Sequence, residues 1–335
     1  PEISGSNLSQ IVSKIGDTIG VGYFGVDLFF VLSGYLITSI LIREKQETGT
    51  VNFKYFYLKR TLRIFPIYYL TILFCYMFIG PVGNDVLSSL TYTSNYYFVY
   101  DERGGPLRHT WSLAVEEQFY LFWPLIVYSL QLKSLRRLCL IYIPVVVVIM
   151  SLIALFVWDL ELGKRMLYRG TPFRMLSLGL GSLIAIYAVT NKEITTTLKL
   201  SIVFAGVGTL LTAFICQKLG YGAVEAILKM FGFSLLSAGI IINVVFGFPV
   251  CNVFGQKFLS ASLLCSIGQI SYGLYLYHAV IFFYLGISMY QVESVDGSDL
   301  FYAILATFIV SWLSFNMFEK KITGLKSTLF SQMNK

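Results

Sequence analysis

HTWSLAVEEQFYLFWP, residues 109–124, reads as a membrane helix with an exception built into it. It is apolar and aromatic toward its C-terminal end, yet it opens on a histidine and carries adjacent carboxylates, Glu116 and Glu117, about two turns inside. A charge at that depth costs roughly 2–3 kcal/mol or more, so the pair calls for partners or a wet cavity and marks a candidate functional site. Helical spacing puts Ser112, Glu116, Tyr120 and Trp123 on one face, with Leu113, Glu117 and Pro124 beside it.

The surrounding sequence supports a membrane setting. Hydrophobic residues make up 56% of the 335 and charged residues 13%, with a mean hydropathy of +0.71. Soluble domains carry about 25% charged residues. Nine apolar runs of transmembrane length are expected at 20–42, 64–81, 111–130, 138–157, 173–189, 200–216, 227–248, 270–289 and 299–318. The fold class is therefore all-α, a polytopic transmembrane helical bundle. Residues 20–320 form one membrane domain, preceded by an extracytoplasmic stretch, 1–19, and followed by a cytoplasmic tail, 321–335. The segment 86–100 is aromatic but short and polar, and reads as re-entrant or interfacial. The five cysteines lie mostly in or beside apolar runs without CxxC spacing, which indicates neither a metal site nor a disulfide framework.

The net charge of +7 follows from topology and needs no nucleic acid. Sixteen basic residues, among them Arg43, Lys45, Lys59, Arg60, Arg63, Arg136, Lys199 and Lys320, fall on one side of the expected spans. Seven, including Arg108, Lys164, Arg169 and Lys218, fall on the other, and Arg174 and Lys229 lie within spans. The basic side is expected to be cytoplasmic, which puts the C-terminus inside and residue 1 outside. A further helix before Pro1 would give ten spans and an inside N-terminus.

Three more stretches carry polar chemistry. GVDLFFVLSGYLI, 25–37, holds Asp27 near the outer end of the first span and Ser33 beside Gly34 in its middle. Two readings stand: a small-residue packing notch with an interfacial aspartate, or a polar wall of a central cavity. YLKRTLRIFP, 57–66, brings Lys59, Arg60 and Arg63 within one turn at a cytoplasmic span end. Arginine forks suit phosphate oxygens, although juxtamembrane arginines also serve topology and anionic lipid. GQISYGLYLYH, 268–278, places Ser271, Tyr275 and the second of two histidines, His278, at i, i+4 and i+7. Tyrosines there suit an interface belt, whereas a histidine inside a span does not. His109 lies just outside the membrane; beside buried carboxylates it would suit a general base.

In order, VGYFGVDLFFVLSGYLITSIL (21–41), KRTLRIFPIYY (59–69), HTWSLAVEEQFYLFWPL (109–125), IGQISYGLYLYHAVI (267–281) and WLSFNMFEK (312–320) closely resemble the acyltransferase family 3 membrane O-acyltransferases. The resemblance covers residues 20–320. It implies transfer of an acyl group, usually acetyl, from cytoplasmic acyl-CoA to a hydroxyl of an extracytoplasmic glycan: O-antigen, exopolysaccharide or peptidoglycan. Acetyl-CoA would be a co-substrate, with no permanently bound cofactor and no metal. Arg60 and Arg63, with Lys59 beside them, match the family's donor-phosphate arginines; Glu116, Glu117 and Tyr120 match its polar transmembrane stripe. Partners implied are membrane lipids, acyl-CoA and the glycan, in a bacterial cytoplasmic (inner) membrane.

Three departures stand out. The family normally begins with a helix carrying an arginine and, eleven residues on, a histidine presumed to be the base; residues 1–19 hold neither. The base would then be His109 or that upstream histidine, oriented by Glu116 or Glu117. An acidic residue usually follows the arginine at the start of the fifth span by two or three positions, but FRMLS, 173–177, offers only Ser177. Arg174 is therefore expected to meet an anionic substrate group rather than an internal salt bridge. About seventeen residues follow the last span, and no appended esterase-like domain is expected within them. Asp27, Ser33, Trp111, Ser112, Arg174, Ser271, Tyr275 and His278 are the candidate cavity and acceptor residues. The alternatives are a proton-coupled transporter or flippase of a glycan or lipid, and an inactive relative.

Overall fold

A computed structural model of the chain describes residues 21–79, 84–101, 105–247, 257–287, 297–322 and 324. The expectations for residues 1–19, for Cys251 and for the tail from 325 onward lie outside the described residues. An apolar chain in lipid must satisfy its backbone groups internally, and this sequence does so with helices. They are α1 (Val21–Thr48), α2 (Phe53–Phe74, running on as a π turn to Ile79), α3 (Asp85–Leu90), α4 (Ser94–Tyr100) and α5 (Trp111–Ser129). Next come α6 (Leu132–Arg137), α7 (Ile143–Val157), α8 (Leu160–Arg169), α9 (Thr171–Val189), α10 (Thr196–Lys218) and α11 (Gly222–Phe246). The last two are α12 (Ser262–Tyr284) and α13 (Gly297–Ser314), the latter continued by a π turn to Glu319. Every expected span coincides with a long helix.

Seven helical units are long and apolar enough to cross a membrane: Gly22–Thr48, Phe53–Ile79, Leu132–Val157, Leu160–Val189, Thr196–Lys218, Gly222–Phe246 and Gly297–Ile322. Helices α5 and α12, with 19 and 23 residues, are also long enough to cross most or all of a hydrocarbon layer about 30 Å thick. They fall short on apolarity because they carry the two most polar motifs. The segment 86–100 is not a span but two short helices, α3 and α4, folded against α2, α5 and α8.

One expected connection is itself helical. Asp159 caps α8 by accepting from the backbone N–H groups of Glu161 and Leu162 at 3.1 and 3.0 Å. Gly170 separates α8 from α9. Arg169, counted above with the loop cations, is instead buried and donates to the Phe98 carbonyl.

The centre is the packing of α1 against α9, α11 and α5. A Cβ on Gly34 would stand 2.1 Å from the Leu178 carbonyl oxygen, and one on Gly181 would stand 2.0 Å from that of Val31. The two glycines are reciprocal notches that let α1 and α9 touch backbone to backbone. Helix α5 lies parallel to α1 in fixed register. Ser33 bonds Tyr120 at 2.7 Å, the Trp123 indole N–H donates to Thr38 at 2.8 Å, and Lys45 donates to the carbonyls of Val127, Tyr128 and Leu130 at 2.7–3.0 Å. That register carries the polar face of α5 along the polar face of α1.

Candidate functional site

The polar face of α5 is partnered at three depths. In its middle, the Tyr120 phenol donates to Glu116 Oε1 at 2.8 Å. A phenol has one proton, so the Ser33 hydroxyl must donate to Tyr120 across 2.7 Å. Glu116, Tyr120 and Ser33 thus form one buried chain between α5 and α1. Of the two readings of the VLSG stretch, the packing notch is found at Gly34, while Ser33 beside it joins the buried polar chain.

At one end of this chain lie the cations of α2. The Arg60 guanidinium sits 5.0 Å over the Tyr120 ring, and the Lys59 ammonium 3.7 Å over that of Tyr55. The charges of Arg60 and Arg63 both act on Glu116, and that of Arg60 also acts on Glu117. Arg63 is exposed, whereas Lys59 and Arg60 are half-buried. Successive residues on a helix diverge by about 100°, and the two carboxylates accordingly face different neighbours. Glu116 meets α1, while Glu117 acts on a tyrosine cluster formed by Tyr68, Tyr69, Tyr92 and Tyr272.

At the other end, residues from two distant motifs converge. Tyr275 on α12 donates its phenol proton to the His109 carbonyl at 2.9 Å and meets the Ser112 hydroxyl at 2.5 Å. The rings of His109 and His278 stand 5.4 Å apart at 69°. The chain's two histidines are therefore neighbours, which sequence spacing does not disclose.

Four expectations are corrected. Arg174 does make an internal salt bridge: it reaches both Asp27 oxygens at 3.0 and 3.1 Å, with both side chains fully buried. Its Nε donates to the Tyr168 carbonyl, and Ser177 and Ser234 hydroxyls complete the aspartate's shell. The acidic partner comes from 147 residues away, delivered by the α1–α9 notch, so a search two or three positions along α9 misses it. Asp27 is accordingly a bonded strut and not an open cavity wall. Ser271 is exposed and bonded to the Gly268 carbonyl of its own helix, apart from Tyr275 and His278. Lastly, the expected His109–carboxylate pair does not form. The His109 ring is buried with no hydrogen bond at either nitrogen, because Glu116 lies roughly 10 Å further along the axis. Trp111 is a packing residue, edge-on to Phe30 and 4.7 Å from Tyr168.

One further network centres on Gln118. The Gln118 amide donates to the Tyr92 carbonyl at 2.8 Å and to Asn95 Oδ1 at 3.0 Å; Asn95 donates to Thr171 Oγ1 at 3.0 Å, and Thr171 donates back to Gln118. This ring pins α4 against α5 and α9. The only sequence signal for it is an amide next to the carboxylate pair.

The acyltransferase domain family known as acyltransferase family 3 matches residues 3–319. The chain belongs to this family. It is similar to the Staphylococcus aureus (strain COL) protein named "Putative O-acetyltransferase SACOL0978", at 32% identity over 329 residues, or 89% of this chain and 52% of that one. It is also similar to "O-acetyltransferase OatA" of S. aureus (strain NCTC 8325 / PS 47), at 29% over 333 residues, 92% of this chain and 54% of the relative. The chain spans about half the length of the curated relatives it matches. No solved structure matches it. The family assignment agrees with the resemblance drawn from the motifs, and four of those motifs (α1, α2, α5 and α12) meet in the site described above.

Proposed function

We propose that the chain is a membrane O-acyltransferase that moves an acyl group, acetyl by the names of its relatives, from a cytoplasmic acyl-CoA to a hydroxyl of an extracytoplasmic glycan. The observation that carries this reading is the polar face of α5. It begins at the guanidinium of Arg60 over Tyr120 and ends at the histidines beside Ser112. Tyr120 and Ser112 are eight residues apart, so the track is roughly 12 Å long, a distance the extended pantetheine arm of an acyl-CoA can cover. Phosphate oxygens suit the arginine end, where forked donors and an exposed Arg63 stand together. Acyl transfer suits the other end, because attack by a hydroxyl on a thioester needs a group to take the hydroxyl proton.

The test uses the full-length protein in liposomes, labelled acetyl-CoA on the arginine side and an N-acetylglucosamine oligomer on the other. Labelled O-acetyl ester should accumulate on the sugar and free CoA on the donor side. If no ester forms on this or any other glycan while an imposed proton gradient drives glycan flux, the transporter reading replaces this one.

A further inference from the structure

Where α5 ends, it meets α6 and the foot of α7 in a surface that combines three cations with two apolar grooves. Tyr57 of α2 donates to the Leu121 carbonyl and Phe53 packs edge-on to Tyr128, so this end of α5 lies on the same side as Arg60 and Arg63. Lys133, Arg136 and Arg137 follow i, i+3 and i+4 and share one face of α6, with the buried Leu135 on the other. Lys133 and Arg137 are exposed and Arg136 is half-buried. No acidic residue occurs between Glu117 and Asp159, and among the described residues no carboxylate pairs with any of the three. The carbonyls that end α5 do not hold them either, because Lys45 already donates to those of Val127, Tyr128 and Leu130.

The two grooves flank Leu138, the residue after Arg137, where the helix widens into a π turn over Leu138–Tyr142. The first, about 390 Å³, runs beside Leu125, Ile126 and Leu130, with the exposed Ser129 at its mouth. The second, about 280 Å³, follows Tyr142, Val146 and Val147 against Pro172 and Met175 of α9. From Leu138 to Val147 the helix rises roughly 14 Å, about half of a hydrocarbon layer about 30 Å thick, so the second groove has the depth of one leaflet. Two apolar grooves divided by a single leucine, under a cluster of cations at the level where helix meets headgroup, match the shape of a two-chain lipid with a negative head. From this geometry we propose that the α5–α6–α7 junction is a binding site for one anionic diacyl phospholipid. Its phosphate lies on Lys133, Arg136 and Arg137, and its two acyl chains lie on either side of Leu138. Arginine forks and a lysine suit phosphate oxygens, and basic clusters at a membrane surface attract anionic lipid. Such a lipid braces the back of α5, opposite its polar face, against α7 and α9. The proposal needs only a membrane and holds whether or not the chain transfers acyl groups.

The full-length protein in a neutral detergent, titrated with defined lipids and read by native mass spectrometry, tests the site. Dioleoyl phosphatidylglycerol should bind at one saturable site roughly tenfold or more tighter than dioleoyl phosphatidylcholine. Replacing Lys133, Arg136 and Arg137 together by Gln should remove that preference. Replacing Arg43, Lys54 and Lys192 by Gln, an equal loss of exposed charge on the same side, should change affinity by less than about threefold. Val146→Trp, which fills the second groove from a lipid-facing position, should weaken phosphatidylglycerol binding at least threefold while the three cations remain. The helical circular dichroism of every variant should match the parent's, so that a loss of binding is not a loss of fold. Equal affinity for the two lipids overturns the proposal, as does parent-like binding by the α6 triple variant. An equal loss in the control triple variant reduces the effect to general charge attraction, and so does the same affinity for glycerol 3-phosphate as for the lipid. Unchanged binding in Val146→Trp removes the acyl chain from the groove and overturns the two-chain assignment.

Discussion

Arg60 and Arg63 differ in what already holds them, and that difference predicts how their loss is felt. Arg60 stacks on Tyr120 and acts on both carboxylates, whereas Arg63 is exposed. Arg63→Ala should weaken acetyl-CoA binding about tenfold, with the loss shrinking as salt is raised, because exposed charges are screened. Arg60→Ala should weaken binding and lower the rate as well, since it also unbalances Glu116. Equilibrium binding of acetyl-CoA at 50 and 500 mM salt checks both; affinity unchanged in the two variants returns the cluster to topology. A second prediction concerns Glu116. The amide oxygen introduced by Glu116→Gln can still accept from Tyr120, so expression and folding should hold, but the ionisable carboxyl group beside Arg60 is gone. Transfer should fall by 10²-fold or more, and full activity in that variant would make the Ser33–Tyr120–Glu116 chain purely structural.

At the level of elements, the buried Asp27–Arg174 pair carries the sharpest stability prediction. Four helices meet there: α1 gives Asp27, α9 gives Arg174 and Ser177, α11 gives Ser234 and α8 gives the Tyr168 carbonyl. Breaking such a pair from one side leaves an unpaired buried charge, which costs about 3–5 kcal/mol. Asp27→Leu and Arg174→Met should each lower the unfolding temperature in detergent strongly, and the double variant should recover part of the loss. Single variants as stable as the parent would show that the pair contributes nothing to holding these helices together. The existence of the helices and the polarity of α5 were legible, because apolar length and a carboxylate pair are local signals. The Asp27–Arg174 contact and the meeting of His109 with His278 were not. Both depend on which helices pack side by side, and in the first case on notches such as Gly34 and Gly181 whose partners lie far along the chain. Gln118 was equally silent, since an amide reveals its role only once Asn95 and Thr171 stand beside it.

For the whole molecule, the decisive quantity is sidedness, since a cytoplasmic donor requires Arg60 and Arg63 to open to the cytoplasm. The bias in basic residues predicts this, but not all of those residues are free surface charges. Lys45 donates to three carbonyls at the end of α5, and Lys199 donates to the Phe246 and Gly247 carbonyls at the end of α11. Both are cations bound to negative helix ends, a local reason for their position that is independent of topology. Direct labelling removes the ambiguity. In a variant with its five native cysteines replaced by serine, Lys218→Cys at the exposed end of α10 should react with a membrane-impermeant maleimide in intact cells. Glu193→Cys, exposed at the opposite end between α9 and α10, should react only after permeabilisation. Helix α2 begins on the same side as Glu193 if α1 and α9 keep their parallel course, because both then run from the outer face inward. Labelling in the reverse order would turn the arginine end outward, away from any cytoplasmic acyl-CoA, and the proposed direction of transfer would fall with it.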